Sequence, residues 1–272
     1  MKVRHLYIYP IKSLGGIELT SSIVESRGLR YDRRFMLVDE NGKFLTQRSF
    51  PKLATLRTSL SENGFRITPD SVSHVLDIPF EVTVGDEISA QIWDDVVKGI
   101  VLSNEANQFF SSYLDRTCRL VYMPDDSMRP IDPKFGSAGD ITSFSDGYPI
   151  LMIGTASLDD LNARLEEKIS WDRFRPNLVV ETEIPFEEDD WSSIQMGDNS
   201  FRLVKPCARC VMTTVNQQTA IAGKEPLRTL AAYRSVGNKV LFGMNTIPST
   251  LGGEIHKGAS VIVSRKSISE ES

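Results

Sequence analysis

Residues 33–48 read RRFMLVDENGKFLTQR. An apolar run, Phe35 to Val38, meets Glu40-Asn41-Gly42, and a second run opens at Lys43. Asn-Gly supplies the positive φ angles that a tight hairpin needs, so this spacing predicts two strands joined near residues 40–42. The same rhythm extends outward. VRHLYIYPIK (3–12) alternates and is rich in β-branched and aromatic residues. FRITPD (65–70), HVLDIPF (74–80) and EVTVGDEISAQIW (81–93) are further short strands. Strands about every ten residues predict a barrel or a sandwich. Gly85, Gly197 and Gly258 each follow a strand-like run and are expected at hairpin corners.

Helices are fewer. SNEANQFFSSYLDR (103–116) has Ser103 as N-cap and an apolar face of Ala106, Phe109, Phe110, Tyr113 and Leu114. GTASLDDLNARLEEKIS (154–170) offers Ser157 and Asp160 as a capping box, with Leu158, Leu161, Leu165 and Ile169 on one face. EPLRTLAAYR (225–234) places Pro226 early in a third helix. Between the first two, residues 122–149 are rich in Pro, Gly, Ser and Asp without a period, and read as a long loop joining two lobes. Its aromatic residues Phe135, Phe144 and Tyr148 imply that part of it packs. Strands resume at NLVVETE (177–183), IQMGDNSFRLVKP (194–206) and GGEIHKGASVIVSRK (252–266), and residues 267–272 are expected to fray.

The chain has 272 residues, 40% of them apolar and 25% charged, with net charge −5. That composition is globular and argues against nucleic acid as a partner. No stretch has the length of a signal peptide or a membrane span, and three cysteines make no disulfide framework. These features predict a cytoplasmic protein, most simply a bacterial one, with no membrane partner.

The chemistry is concentrated in KPCARCVMTTV (205–215). Phosphate-loop, dinucleotide and serine-hydrolase motifs are missing, and His5, His74 and His256 are scattered. Cys207 and Cys210 are open to several readings: a dithiol pair, half a zinc site, two buried core thiols, or one metal-binding thiolate. A dithiol motif would need a helix after it, and the β-branched residues of VMTTV favour a strand. Zinc lacks further ligands. Lys205 and Arg209 would favour a thiolate if they converged on it.

PCARCVMTTV (206–215), preceded by WDRFRPNLVVE (171–181) and PFEEDDWSSIQMGD (185–198), resembles the MOSC domain, named for the C-terminal part of molybdenum cofactor sulfurases. YPIKSLGGIEL (9–19) and residues 28–48 resemble the β-barrel domain that precedes it in many members. By arrangement the chain is similar to members that reduce amidoximes and N-hydroxylated bases. The resemblance implies an α+β, mainly β architecture. An N-terminal MOSC β-barrel domain would span 1–120 and a MOSC domain 121–266, with a cofactor cleft between them. It further implies a molybdenum–molybdopterin cofactor (Moco). Cys210 is then the metal ligand and the catalytic residue, and Cys207 its neighbour in the motif. Lys12, Ser13, Arg34, Arg175, Asn177, Ala208 and Arg209 are implied as cofactor contacts, together with Asn245 and Tyr148.

The implied reaction is reduction of an N–O bond in a small N-hydroxylated substrate, with electrons from a separate flavin or iron–sulfur protein. No cysteine cluster of a fused ferredoxin is seen in the chain. A cofactor carrier or sulfur-transfer protein, and a cofactor-free scaffold, are the other readings. The acidic run at 187–190 is expected to be a solvated turn, with docking of the electron donor as its functional alternative.

Overall fold

Most strands anticipated in the first third are present, but they do not stay together, and the run from Lys43 makes only isolated bridges, Phe44 to Val38 and Lys43 to Gln91, where a second hairpin strand was expected. The computed structural model describes residues 1–70 and 74–266, so the expected frayed tail lies outside the described residues. A nine-stranded sheet runs in the order Ile262–Arg265, Trp191–Met196, Asn199–Arg209, Lys239–Pro248, Ile150–Gly154, Leu178–Val180, Val3–Ile8 and Ile17–Glu18, with Ser235–Val236 beside Lys239–Pro248. Ile150–Gly154 and Leu178–Val180 pair in parallel. A parallel pair needs a crossover, and the helix Thr155–Arg164 lies in that connection. A four-stranded sheet orders Phe35–Val38, Arg119–Tyr122, Asp95–Val101 and Glu87–Ile92. Two three-stranded sheets complete the set, one of them Leu56–Ser61, Gly64–Pro69 and Leu76–Pro79. The fold is mainly β with three α-helices among the described residues.

The two ends of the chain are interlocked. Leu6 pairs with Leu178 in the large sheet. Ile23, in the strand Ser21–Glu25, pairs with Glu254 in the strand Glu254–His256. One continuous apolar cluster includes Val3, Phe35, Phe65, Phe110, Trp191 and Val261. Burial of such side chains contributes about 1.5–3 kcal/mol each, so the core belongs to both halves.

Several local expectations change. At 39–42 the turn closes with the Gly42 N–H donating to the Asp39 carbonyl, and Asp39 Oδ1 accepts from the N–H groups of Asn41 and Lys43. Only Gly42 takes a positive φ, of 79°. This is a type I turn followed by a left-handed glycine, which Asn41 need not enter. The first helix, Asn104–Leu114, is capped as expected, with Ser103 accepting from the Ala106 N–H. The second starts three residues early. Gly154 is its N-cap, and Ser157 is buried inside it, donating to Glu188 Oε1 and accepting from the Phe186 N–H. The helix ends at Arg164, so Leu165 and Ile169 pack from beyond it. The third helix is a short segment, Leu227–Ala231. Of the three glycines, only Gly197 sits in a hairpin, between Trp191–Met196 and Asn199–Arg209.

The acidic run is not a solvated turn. Glu188 is fully buried, and its Oε1 accepts from the Gly154 N–H, so it caps the second helix from outside. Glu187 pairs with Arg265, and Asp189 pairs with Arg234. A carboxylate at a helix N-terminus meets unsatisfied N–H groups and the positive end of the dipole. Residues 123–149 form no helix or strand, as the composition suggests, but they do more than connect. Phe144 is fully buried, and the segment folds over one wall of a cleft.

Candidate functional site: a cationic cleft with an exposed thiol

The strand Asn199–Arg209 carries the cysteine motif to its open end. Its pairing with Lys239–Pro248 sets Lys205 opposite Asn245 and Ala208 opposite Leu241. The strand stops there because the next residues fold back. The Cys210 carbonyl accepts from the N–H and hydroxyl of Thr213, and the Val211 carbonyl accepts from the Thr214 hydroxyl. Threonine hydroxyls that satisfy nearby carbonyls offer an alternative to sheet pairing. Val211–Thr214 is therefore a 3-10 turn, where β-branching had predicted a strand. Cys210 is left exposed at the corner, and Cys207 is half-buried.

Both thiols line a cleft of about 850 Å³. Its walls come from residues near 12, 33, 48 and 93, from the 129–151 segment, from 174–177 and from the cysteine strand. Seven Lys and Arg side chains and four Asp side chains line it, in a chain of net charge −5. The cleft gathers positive charge that the whole chain lacks, which suits an anionic ligand.

Each cation is held differently. Lys12 is buried, and its Nζ donates to the Phe144 carbonyl (2.8 Å) and Asp146 Oδ1 (2.6 Å). Burial pulls the Lys12 ammonium down to about 8, against the opposing pull of Asp146. Arg33 makes two contacts with Asp32 (2.8 and 2.6 Å), donates to Asn177 Oδ1, and reaches the Arg175 carbonyl. Arg129 is tied to Asp95 and to the carbonyls of Ser143 and Ser145.

Arg175 is 5% exposed and has φ of 58°. Its Nη1 donates to the Leu14 carbonyl (2.6 Å), while its buried Nη2 has no partner. Burial and the neighbouring Arg33 bring its guanidinium down to about 10. Its carbon Cζ and that of Arg33 lie 4.2 and 4.3 Å from the Tyr9 ring centroid. Arg209 donates from Nη1 to the Cys207 sulfur (3.0 Å) and from Nη2 to the Phe174 carbonyl (2.6 Å). Its charge therefore converges on the first cysteine and leaves the second free. Lys205 does not reach either thiol by hydrogen bond; its Nζ sits 4.5 Å from the Phe135 ring centroid.

Of the expected contacts, Lys12, Ser13, Tyr148, Arg175, Asn177, Ala208, Arg209, Cys210 and Asn245 all line the cleft. Arg34 does not. Its guanidinium donates to the Met123 carbonyl, the Tyr122 hydroxyl and Asp125, anchoring the start of the 123–149 segment. The arginine that reaches the cleft is Arg33, one residue earlier, with φ of 49°. Arg48, Trp93 and Arg129 also line it without having been anticipated. Arg48 closes the RRFMLVDENGKFLTQR stretch, so basic residues at both ends of a hairpin were an available signal; Arg129 lies in an aperiodic segment that offers none.

The residues suit a phosphate-bearing ligand that brings its own metal coordination. Unpartnered buried donors, Arg175 Nη2 and Arg209 Nε, await an acceptor. Among the described residues no group of three or more His, Cys, Asp or Glu side chains could hold a metal ion. A metal in this cleft would take Cys210 as a protein ligand and the rest of its coordination from elsewhere. No described helix is long and apolar enough to cross a membrane.

Comparison with known proteins accords with this arrangement. Residues 1–117 match the MOSC N-terminal beta barrel domain, and residues 140–262 match the MOSC domain. Mitochondrial amidoxime-reducing component 1 of Mus musculus is 32% identical, over 85% of this chain and 71% of that protein. Mitochondrial amidoxime reducing component 2 of Rattus norvegicus is 33% identical, over 85% and 72% respectively. Molybdenum cofactor sulfurase of Danio rerio is 30% identical over 94% of this chain, which spans 33% of that longer protein. By its two matched domains and these relatives, the chain belongs to the MOSC-domain family.

Proposed function

We propose that the chain is a molybdenum-dependent oxidoreductase that binds Moco in the cleft and reduces N–O bonds of small N-hydroxylated compounds. Its electrons come from a separate flavin or iron–sulfur protein. The observation that carries the reading is the pairing, in one cleft, of the exposed thiol of Cys210 with the buried, unpartnered Nη2 of Arg175. Relatives named for amidoxime reduction support the reaction class.

When bound, the cofactor would supply two-electron redox chemistry. Cys210 would be the protein's thiolate to the metal. Arg175 would offer Nη2 to a phosphate oxygen; Arg33 and Lys12 add positive charge beside it. Asn177 accepts from Arg33 Nη1 and the Leu151 N–H, so it orients the arginine rather than offering a free group. Arg209, held by the Phe174 carbonyl and the Cys207 sulfur, keeps its buried Nε as a free donor. Net reduction of a hydroxylamine consumes two electrons and two protons and releases water and the amine.

The test is purification from a molybdenum-replete host, with molybdenum and pterin measured, and reduction of an N-hydroxylated amidine assayed with an artificial electron donor. Reductase activity lost in Cys210→Ala and retained in part in Cys207→Ala is the expected result. Molybdenum without turnover would favour a carrier or sulfur-transfer role, and absence of metal and pterin would leave a scaffold.

A further inference from the structure

Gln47 and Gln217 stand 170 residues apart in sequence and meet as a reciprocal amide pair. Gln47 Nε2 donates to Gln217 Oε1, and Gln217 Nε2 donates to Gln47 Oε1, both at 3.1 Å. Each amide has a second proton, and each proton finds a carbonyl. Gln47 donates to Ser13 (2.6 Å) and Gln217 to Val215 (3.0 Å). Those two carbonyls fix which end of each amide is nitrogen, and the pair then uses all four of its N–H donors. Both side chains are buried, at 0% and 4% exposed. Buried polar groups are costly unless satisfied, and a satisfied set tolerates little displacement, because moving either partner breaks directional bonds away from solvent.

The pair lies behind the cleft rather than in it. Neither glutamine lines the cavity, whereas Ser13, Thr46, Arg48, Met212 and Thr213 around them do. On one side stands Ser13, in the N-terminal half, with φ of 71°. On the other, the Val215 N–H donates to the Met212 carbonyl, and the Thr213 N–H to the Cys210 carbonyl. The amides therefore join a residue of one cleft wall to the turn that carries Cys210. Arg173 ties the same turn to its own half, donating to the carbonyls of Thr213 (2.8 Å) and Glu225 (2.9 Å). An apolar pair could fill the space between Ser13 and Val215; hydrogen-bonded amides also specify a register.

We propose that Gln47 and Gln217 are positioning residues, which hold the Cys210 corner at a fixed place relative to the N-terminal wall of the cleft. The inference rests on the reading of Cys210 as the metal's thiolate and adds what aims that thiolate. A ligand that spans the cleft meets both walls at once, so the separation of the walls decides whether it sits in a productive geometry.

The test compares Gln47→Met, Gln217→Met and the double variant, in which no side-chain amide is stranded. In the unloaded protein, amide hydrogen exchange across residues 211–217 speeds about tenfold in either single variant and no further in the double, because the pair acts as one unit. In the molybdenum-loaded protein, kcat for an N-hydroxylated amidine falls about tenfold, KM and molybdenum content hold, and the electron paramagnetic resonance signature of the metal changes. A merely structural pair would lower Tm and leave the rate per molybdenum and that signature unaltered. Unchanged exchange, or losses that add in the double variant, would overturn the proposal. So would a fall in molybdenum content with the rate per molybdenum intact. Should a single variant fail to fold, the double decides. Faster exchange in a protein that takes up no molybdenum keeps the brace and rejects the reductase reading; unchanged exchange in an active reductase does the reverse.

Discussion

The Nζ of Lys12 lies 2.6 Å from Oδ1 of Asp146, across 134 residues of sequence. Burial sets the ammonium at about 8, below its ordinary 10.5. Lys12 and Arg48 hold the Asp146 carboxylate well below the usual carboxylate range. Between pH 8 and 10.5 the folded protein therefore binds fewer protons at Lys12 than the unfolded chain does. Through this group, stability rises with pH in that window, while the cleft loses a positive charge. Sulfate, whose charge is constant over the range, is expected to bind more weakly as pH passes 8, approaching a tenfold loss per pH unit. Titration calorimetry from pH 7 to 9.5 should show that dependence flattened in Lys12→Met.

Adjacent arginines should behave differently. Arg33 neutralises Asp32, which is 1% exposed, whereas the carboxylate partner of Arg34, Asp125, is largely in solvent. Removing one member of a buried ion pair costs about 3–5 kcal/mol, because the other is stranded. Arg33→Met is expected to lose about that much in urea unfolding, and Arg33→Lys to recover part of it. Arg34→Met should cost about 1–3 kcal/mol through the lost bonds to the Met123 carbonyl. Molybdenum content should fall in Arg33→Lys and hold in Arg34→Met.

Glu188 supplies a stability signal of opposite sign. Burial raises its carboxyl above the ordinary value of 4.5, against the bonds from Ser157 and the Gly154 N–H. Its neutral form therefore stabilises the fold below the unfolded value, and that contribution is lost as pH rises through the folded one. Glu188→Gln keeps an oxygen for Gly154 and Ser157 and removes the charge. It is expected to be level with or more stable than the wild type at pH 7, and to flatten the pH dependence of Tm. Glu188→Ala strands the Gly154 N–H and should cost about 1–3 kcal/mol at pH 7.

At the 39–42 turn, Asn41→Ala should change stability by less than about 0.5 kcal/mol, since Asn41 is exposed and keeps a negative φ. Gly42→Ala should cost at least about 1–2 kcal/mol, from the left-handed backbone. The new Cβ would also meet the Ser89 carbonyl at 2.4 Å. Paired urea curves for the two variants decide the matter.

What could be read beforehand divides along physical lines. The Ser103 cap and most of the strand rhythm depend on local patterns and are where capping rules and periodicity put them, whereas the corner after Cys210 is not, because β-branching predicted a strand at Val211–Thr214. Arg33 and Arg34 were inseparable, because neighbouring residues diverge in direction and only the backbone turn at Arg33 decides which enters the cleft. Ser157 and the acidic run misled for a shared reason. Each carries a strong local preference, for a cap and for solvent, and each is overruled by the other in tertiary contact through Glu188. The pairing of Val3–Ile8 with Leu178–Val180 left no local trace, since sheet partners distant in sequence share only a common need for burial.

That pairing also sets a timetable. A chain made from its N-terminus exposes the apolar residues of Val3–Ile8 long before Leu178–Val180 emerges to cover that edge. Ile17–Glu18 can cover the other edge early. Asn245, which also lines the cleft, is made later still. The cleft is thus among the last features to be assembled, so the proposed cofactor would be loaded into the nearly finished chain rather than into a growing one.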